Sequence, residues 1–286
     1  MRALLVVLLT VIFVGNATAR SVPTSTQSLL DGVKSRESKT VIKSVLMILC
    51  RKQSAKGTGF ALTGGGTIVT NSHVVGGCTA EELEGVSSVS NEIVKFSRME
   101  KDDNRDLALL CATKPLPSGL ELNGDENPLI ETEVETWGYP LRYQDPAPIL
   151  SRGYVAGYTT AVRPQGTPVK RLIVNGALNP GNSGGPLIDR SSGRVIGVVV
   201  EKWMLFSPLI ETAIRGFEHP SAMMGGTFTR TDQQGKVIQV SDQEMMAEVL
   251  KEFYGKSQVM VGEAISVSEL NAFLKDKRKG LACEAH

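Results

Sequence analysis

The 286-residue sequence predicts an all-β fold made of two consecutive antiparallel units. Three observations lead there. The first is a series of short apolar runs at residues 45–50, 59–62, 67–70, 93–96 and 106–111, separated by Gly, Asn and Asp. Runs this short, separated by turn residues, are strands of a sandwich or barrel, since an amphipathic helix needs about ten residues or more to present a buried stripe. The second is a repeat of the same style at residues 133–138, 149–158, 169–174, 186–188 and 194–200, with Ser191-Ser192-Gly193 as a hairpin turn. The third is the stretch 115–127 between the two series, which is rich in Pro, Gly and acidic residues and reads as a linker. With 41% apolar and 21% charged residues, a chain of this length can bury one or two full cores.

In chain order, Met1-Arg2 precedes an apolar run over residues 3–14 and the small-residue exit Ala17-Thr18-Ala19. A charged start, an apolar middle and a small-residue end are the parts of a secretory signal peptide, expected here over residues 1–19. Its apolar run is too short for an ordinary membrane span, which makes an uncleaved anchor the lesser reading. Residues 20–39 are Ser/Thr-rich and weakly periodic, a flexible leader with a short helix near 27–34. The first β unit then occupies 40–114, the linker 115–128 and the second unit 129–278. Inside the second unit, residues 203–258 form an insert with a hairpin around Asp232 and Gly235 and a helix-like run at 242–253. The insert reads as a solvated decoration, with a lid or exosite as its functional alternative. A last strand at 259–265 leads into an amphipathic closing helix at 266–278, where Ser266 and Glu269 have capping-box spacing, and residues 279–286 are a tail.

Charge excludes one class of partner. With 31 basic against 30 acidic residues and no basic run interleaved with aromatics, nothing favours nucleic acid. No Cys/His spacing resembles a zinc site, and neither a metal nor an organic cofactor is implied.

Chemistry concentrates in Asn179-Pro180-Gly181-Asn182-Ser183-Gly184-Gly185-Pro186-Leu187. Glycine adopts backbone angles closed to other residues, so Gly181, Gly184 and Gly185 let the chain turn sharply around Ser183 and leave amide N–H groups unshielded. The bland reading is an ordinary Gly/Asn/Pro turn. The sharper one is an exposed nucleophile. Two backbone amides aimed at a tetrahedral oxyanion stabilise an acyl-transfer transition state by about 3 to 4 kcal/mol, and the amides of Gly181 and Ser183 are the natural donors here.

A serine hydroxyl also needs a base, and the base needs an orienting group. The chain holds three histidines. His219 precedes a proline in an irregular segment and His286 is the last residue, whereas His73 follows the apolar run 60–69 and its Gly64-Gly65-Gly66 turn, at the end of a strand. His73 is the expected base. Asp106 opens the apolar strand 106–110, where its carboxylate can accept from the proton-bearing nitrogen of His73. Its neighbours Asp102 and Asp103 lie in the polar run 101–105 and read as solvated.

The segments 70–75, 106–110 and 181–187, in that order, resemble the chymotrypsin-fold serine proteases, and most closely their HtrA-type bacterial branch. Supporting strings are Gly57-Thr58-Gly59-Phe60, Trp137-Gly138-Tyr139-Pro140 and Gly153-Tyr154-Val155, and the resemblance is dense over residues 45–200 and thins afterwards. It implies two six-stranded antiparallel β-barrels with a C-terminal helix and a site in the cleft between them. It also implies His73 as general base, Asp106 as its orienter, Ser183 as nucleophile and the Gly181 and Ser183 amides as the oxyanion hole. The specificity pocket would be lined by Ala177, Leu178 and Asn179 and by the strand end Val200, Glu201 and Lys202. Ala177 stands where trypsin has an aspartate, so small to medium apolar side chains are expected before the cut. The segment 203–258 is longer than the family needs, and nothing after Arg278 resembles the PDZ domain that many HtrA-type enzymes carry.

The function expected is that of an exported serine endopeptidase acting on proteins or peptides, periplasmic or secreted, without stable membrane association once the signal is removed. Two alternatives stay open. Gly181-Asn182-Ser183-Gly184-Gly185 also fits the Gly-x-Ser-x-Gly elbow of secreted esterases, which requires a helix after the serine and a histidine further along the chain. A protease scaffold can also serve as an inactive binding module. Export would permit disulfides among Cys50, Cys78, Cys111 and Cys283, which can pair in three ways. Cys78 lies five residues beyond His73 and Cys111 five beyond Asp106, so the bridge expected is Cys78–Cys111, tying base to carboxylate.

Overall fold

The computed structural model describes residues 26–283 except 54, 90–91, 126, 142–146, 163–165, 203–226, 232–236, 242–243, 245, 248–249, 252–260 and 278–282. The expected signal peptide, most of the insert and most of the tail therefore lie outside the described residues.

Strands β1 (Val45–Cys50), β2 (Ala55–Ala61), β3 (Thr67–Thr70), β4 (Leu83–Ser87), β5 (Ile93–Val94), β6 (Phe96–Asp102) and β7 (Leu107–Ala112) form one antiparallel sheet in the order β5-β4-β1-β2-β3-β7-β6. Strands β8 (Glu133–Gly138), β9 (Ile149–Ala161), β10 (Val169–Gly176), β11 (Pro186–Asp189), β12 (Val195–Lys202) and β15 (Val261–Ser266) close into a six-stranded barrel. Between β12 and β15, β13 (Thr227–Thr231) and β14 (Val237–Ser241) pair as a separate ribbon, matching the hairpin expected around Asp232 and Gly235. The all-β expectation holds, with the second unit closed and the first a sheet whose ends, β5 and β6, stay open.

The continuous apolar reading of β7 has a simple cause: all six of its residues are buried. Successive side chains of a strand point to opposite faces. Leu107 and Leu109 thus enter the cluster shared with Trp137, Ile188 and Ile265 of the barrel, while Ala108 and Leu110 enter the first sheet's own core. Strand β1 divides the same way, Val45 facing the shared cluster and Leu46 and Ile48 the other.

Helices cover more of the N-terminal stretch than expected, as α1 (Thr26–Asp31) and α2 (Arg36–Ser44). The sequence of α2 holds only two apolar residues, Val41 and Ile42, so it offers no apolar run, although its buried residues Ser38, Val41, Ile42 and Ser44 share one face. The helix is held by its ends and by packing. Ser35 accepts from the Ser38 amide at 3.0 Å, Glu37 and Lys43 sit at the favourable ends of the dipole, and Val41 and Ile42 join Leu30 in the shared cluster. A single turn, α3 (Ser72–Val75), follows β3. The closing helix α4 (Val267–Lys277) buries Val267, Leu270 and Phe273. Its expected capping box does not form. The Ser266 hydroxyl meets the Ser268 amide at 3.4 Å, and Glu269 turns to the Lys170 amide at 2.9 Å and to Arg105 at 3.2 Å. None of the described helices is long and apolar enough to cross a membrane.

The cysteine expectation is corrected. The bridges are Cys50–Cys78, with Cα atoms 6.0 Å apart, and Cys111–Cys283, at 5.2 Å. Equal offsets mislead because the two paths differ in shape. Five residues along extended β7 carry Cys111 about 17 Å from Asp106, whereas Cys78 follows the compact turn of α3, its amide bonded to the Val75 carbonyl at 3.0 Å, and stays near the end of β1.

Candidate active site

Asp106 precedes β7 with φ +58°, a left-handed conformation that aspartate tolerates better than most side chains. Asn71, at the end of β3, holds it there by donating from Nδ2 to the Asp106 carbonyl at 2.9 Å. The turn before Asp106 is also fixed. Arg105 reaches Asp102 at 2.6 Å and Glu269 of α4 at 3.2 Å. Burial works against the Arg105 charge, but those two carboxylates outweigh it and raise its pKa. Asp102, expected to be solvated, is engaged in this network.

The short helix α3 then presents His73 to the carboxylate twice. The His73 amide donates to Oδ1 at 3.0 Å and the ring Nδ1 lies 2.8 Å from Oδ2. An ionised carboxylate only accepts, so the ring proton belongs on Nδ1 and the lone pair on Nε2. The Asp106 side chain is 4% exposed and that of His73 48%, so the imidazole bridges a buried anion and solvent. Ser72, beside His73, is hydrogen-bonded to Asp103 and joins the two loops again.

Ser183 arrives from the barrel on the turn between β10 and β11. Gly181 (φ +99°) and Gly184 (φ +85°) occupy left-handed backbone where no side chain fits. A Cβ on Gly181 would stand 2.4 Å from the Tyr139 carbonyl oxygen, and one on Gly184 2.1 Å from that of Thr58. The turn is stapled from several sides: the Leu141 amide to the Pro180 carbonyl at 2.8 Å, Asn182 to Asn179 at 2.9 Å, Gly185 to Asn182 at 2.9 Å, Gly184 to Val199 at 2.8 Å, and the Thr58 amide to the Ser183 carbonyl at 2.9 Å. Among the described residues, the amides of Gly181 and Ser183 donate to no other group. Gly184 packs against Thr70 and Asn71, so the serine turn abuts the strand end that carries His73.

The structure brings His73 and Asp106 into contact and sets the Ser183 turn beside them. The Ser183 hydroxyl itself donates to the Val200 carbonyl at 2.5 Å, and it makes no hydrogen bond to His73 in this arrangement. That carbonyl is free because Val200 is the extra residue of a bulge between the pairs Val199 with Ala264 and Glu201 with Glu263. Of the residues expected to line a specificity pocket, Leu178 and Val200 are buried, Asn179 is half-buried and Ala177 is exposed. The side chains of Glu201 and Lys202 lie outside the described residues. Strand β11 follows the serine where an esterase elbow would place a helix.

Two contributors were not singled out in the sequence. Asn71 stood inside the quoted histidine segment, and Thr58 inside the glycine-flanked string before it. A small polar side chain between two glycines of a strand was the available signal, and nothing in it points to a partner more than a hundred residues away.

Residues 57–198 match the model of the trypsin-like peptidase domain. The chain is 30% identical to the chloroplastic Protease Do-like 1 of Arabidopsis thaliana over 192 residues, covering 63% of this chain and 40% of the relative. It is 29% identical to the Serine protease Do-like HtrB of Bacillus subtilis over 231 residues, covering 76% and 48%. It thus spans under half the length of these curated relatives. The fold is similar to crystal structures of the Rv3671c protease of M. tuberculosis, with TM-score 0.57 at 16% identity over 87% of this chain and 93% of that one in an inactive form.

Proposed function

Because this chain belongs to the trypsin-like peptidases, together with the Do-like HtrA proteases, we propose that it is an exported serine endopeptidase with Ser183, His73 and Asp106 as its triad. The observation that carries this reading is the two-point grip of Asp106 on His73 beside a turn whose Gly181 and Ser183 amides have no acceptor among the described residues. In the reaction, the Ser183 hydroxyl leaves the Val200 carbonyl, gives its proton to His73 Nε2 and attacks the scissile carbonyl. Asp106 stabilises the imidazolium so formed, and the Gly181 and Ser183 amides donate to the oxyanion. His73 returns the proton to the departing amine, and water then releases the acyl group from Ser183 by the same proton relay in reverse.

Two further parts belong to the proposal. The segment 1–19 exports the chain, in keeping with two disulfides that need an oxidising compartment. Small to medium apolar side chains occupy the pocket bounded by Leu178 and Val200, and a peptide-library profile showing strict cleavage after Lys or Arg would remove that preference.

The test is hydrolysis of labelled casein and peptides by the mature chain and by its Ser183→Ala variant, with fluorophosphonate labelling mapped to Ser183. The variant is expected to lose about four to six orders of magnitude in kcat. Equal hydrolysis by both proteins would end the reading.

A further inference from the structure

The serine turn contains three successive peptide groups, and each is held at its carbonyl. Leu141 N–H holds the Pro180 oxygen, the Thr58 hydroxyl holds the Gly181 oxygen at 2.6 Å, and Gly185 N–H holds the Asn182 oxygen. A trans peptide carries its N–H opposite its C=O, so pinning the first and third carbonyls aims the Gly181 and Ser183 amides away from them, toward the open side. The middle peptide sets the angle between those two amides. It is flanked by Gly181, where the backbone has the greatest freedom to rotate.

The holders of the outer peptides are backbone groups of the second unit. The middle carbonyl is held by a side chain, and that side chain comes from β2 of the first sheet. Thr58 is fully buried and every polar group it has is used. Its hydroxyl donates to Gly181 O and accepts from Tyr139 N–H at 3.0 Å, its amide donates to Ser183 O at 2.9 Å, and its carbonyl accepts from Thr70 Oγ1 at 2.7 Å. A hydroxyl has one proton and can both give and accept, which is what this position between Gly181 and Tyr139 demands. Gly138 keeps the space clear, since a Cβ there would come within 3.0 Å of Thr58 Oγ1 and 2.8 Å of Asn182 Oδ1.

We propose that Thr58 is a positioning residue for oxyanion stabilisation: its hydroxyl, reaching across from the first sheet, locks the Gly181 carbonyl and so holds the Gly181 and Ser183 amides convergent. Thr58 touches no reacting atom and acts through Gly181. The inference rests on the peptidase reading above and adds to it a residue that couples the sheet carrying His73 to the amides that receive the oxyanion.

The experiment compares Thr58→Val, Thr58→Ala and Thr58→Ser with the wild type in the full chain, after thermal unfolding has shown each to be cooperative. Peptide hydrolysis is measured together with inhibition by a peptide aldehyde, which adds reversibly to the serine hydroxyl and places its oxygen at the two amides. Binding of the corresponding product peptide, which forms no tetrahedral centre, is the control. Thr58→Val is expected to lower kcat and aldehyde affinity by about 10- to 100-fold, with KM and product affinity within about twofold. Thr58→Ser is expected to restore both. Thr58→Ala removes the hydroxyl without the added bulk and reports the same loss if valine crowds Gly138. Val and Ala variants that keep wild-type kcat would overturn the proposal, as would a Ser variant that fails to restore it or losses shared equally by product binding. A wild-type chain inert to peptides and to fluorophosphonate would instead overturn the peptidase reading, a distinct result.

Discussion

Asp106 combines two demands that no other residue type meets in its place. Its backbone is left-handed and its side chain must present two acceptor oxygens to one histidine, 3.0 and 2.8 Å away. Asparagine would keep the shape and tolerate the backbone. Its amide would meet the ring with a donor where an acceptor is needed, forcing the wrong tautomer. We expect Asp106→Asn to fold with an unchanged melting temperature and to lose about 10⁴-fold in kcat. Steady-state kinetics on one peptide substrate would check it, and a loss under tenfold would remove Asp106 from the orienting role. Neighbouring Arg105 illustrates a different use of charge. Its contacts with Asp102 and Glu269 fasten the aspartate's turn to α4, and they touch neither His73 nor Ser183.

Among elements, the turns that flank β11 show two kinds of glycine. Gly184 and Gly193 both have positive φ, +85° and +69°, but a Cβ at 184 would overlap the Thr58 carbonyl while one at 193 meets nothing within 4 Å. Gly193→Ala should therefore cost about 1 kcal/mol, the conformational penalty alone. Gly184→Ala should cost about 3 kcal/mol or more, because backbone has to move, and it should abolish turnover. Urea midpoints of the two variants would compare them, and similar midpoints would contradict the argument.

The β11–β12 turn also carries a pH signature. Burial pushes the Asp189 carboxyl up, but hydrogen bonds from Ser192 and Ser191 outweigh it and hold the pKa below the ordinary carboxylate value. With the folded value depressed, the stabilisation is present above the unfolded pKa of about 4 and is lost as pH falls through the folded one. Asp189→Asn should thus flatten the fall in melting temperature between neutral pH and pH 3. An unchanged slope in that variant would assign the acid sensitivity to other carboxylates.

Over the whole molecule, the two bridges differ most in the length of chain they close. Cys50–Cys78 spans 28 residues and Cys111–Cys283 spans 172. By loop-closure entropy alone the first stabilises by about 3.5 kcal/mol and the second by about 5 kcal/mol. Replacing Cys111 and Cys283 together with alanine should therefore lower the urea midpoint more than replacing Cys50 and Cys78. The opposite order would show that the tail closes little of the denatured chain. The bridges also bear on placement in the cell, since a chain that relies on both would weaken in a reducing compartment.

The sequence alone determined the things that depend on neighbours in the chain. Short apolar runs between turn residues mark strands whatever they pair with, and a serine between glycines or a lone histidine at a strand end is legible because local backbone geometry and scarcity are both written locally. The tertiary structure decided what depends on separated segments meeting. It set the partners of four cysteines, since a strand and a turn carry equal residue counts over unequal distances. It docked α2 on the core through Val41 and Ile42, drew Glu269 from its cap to Arg105 and Lys170, and aimed the Thr58 hydroxyl at Gly181, 123 positions along the chain. Such pairings are chosen by how the sheet and the barrel dock, because a hydrogen bond reads distance in space and takes no account of distance along the polymer.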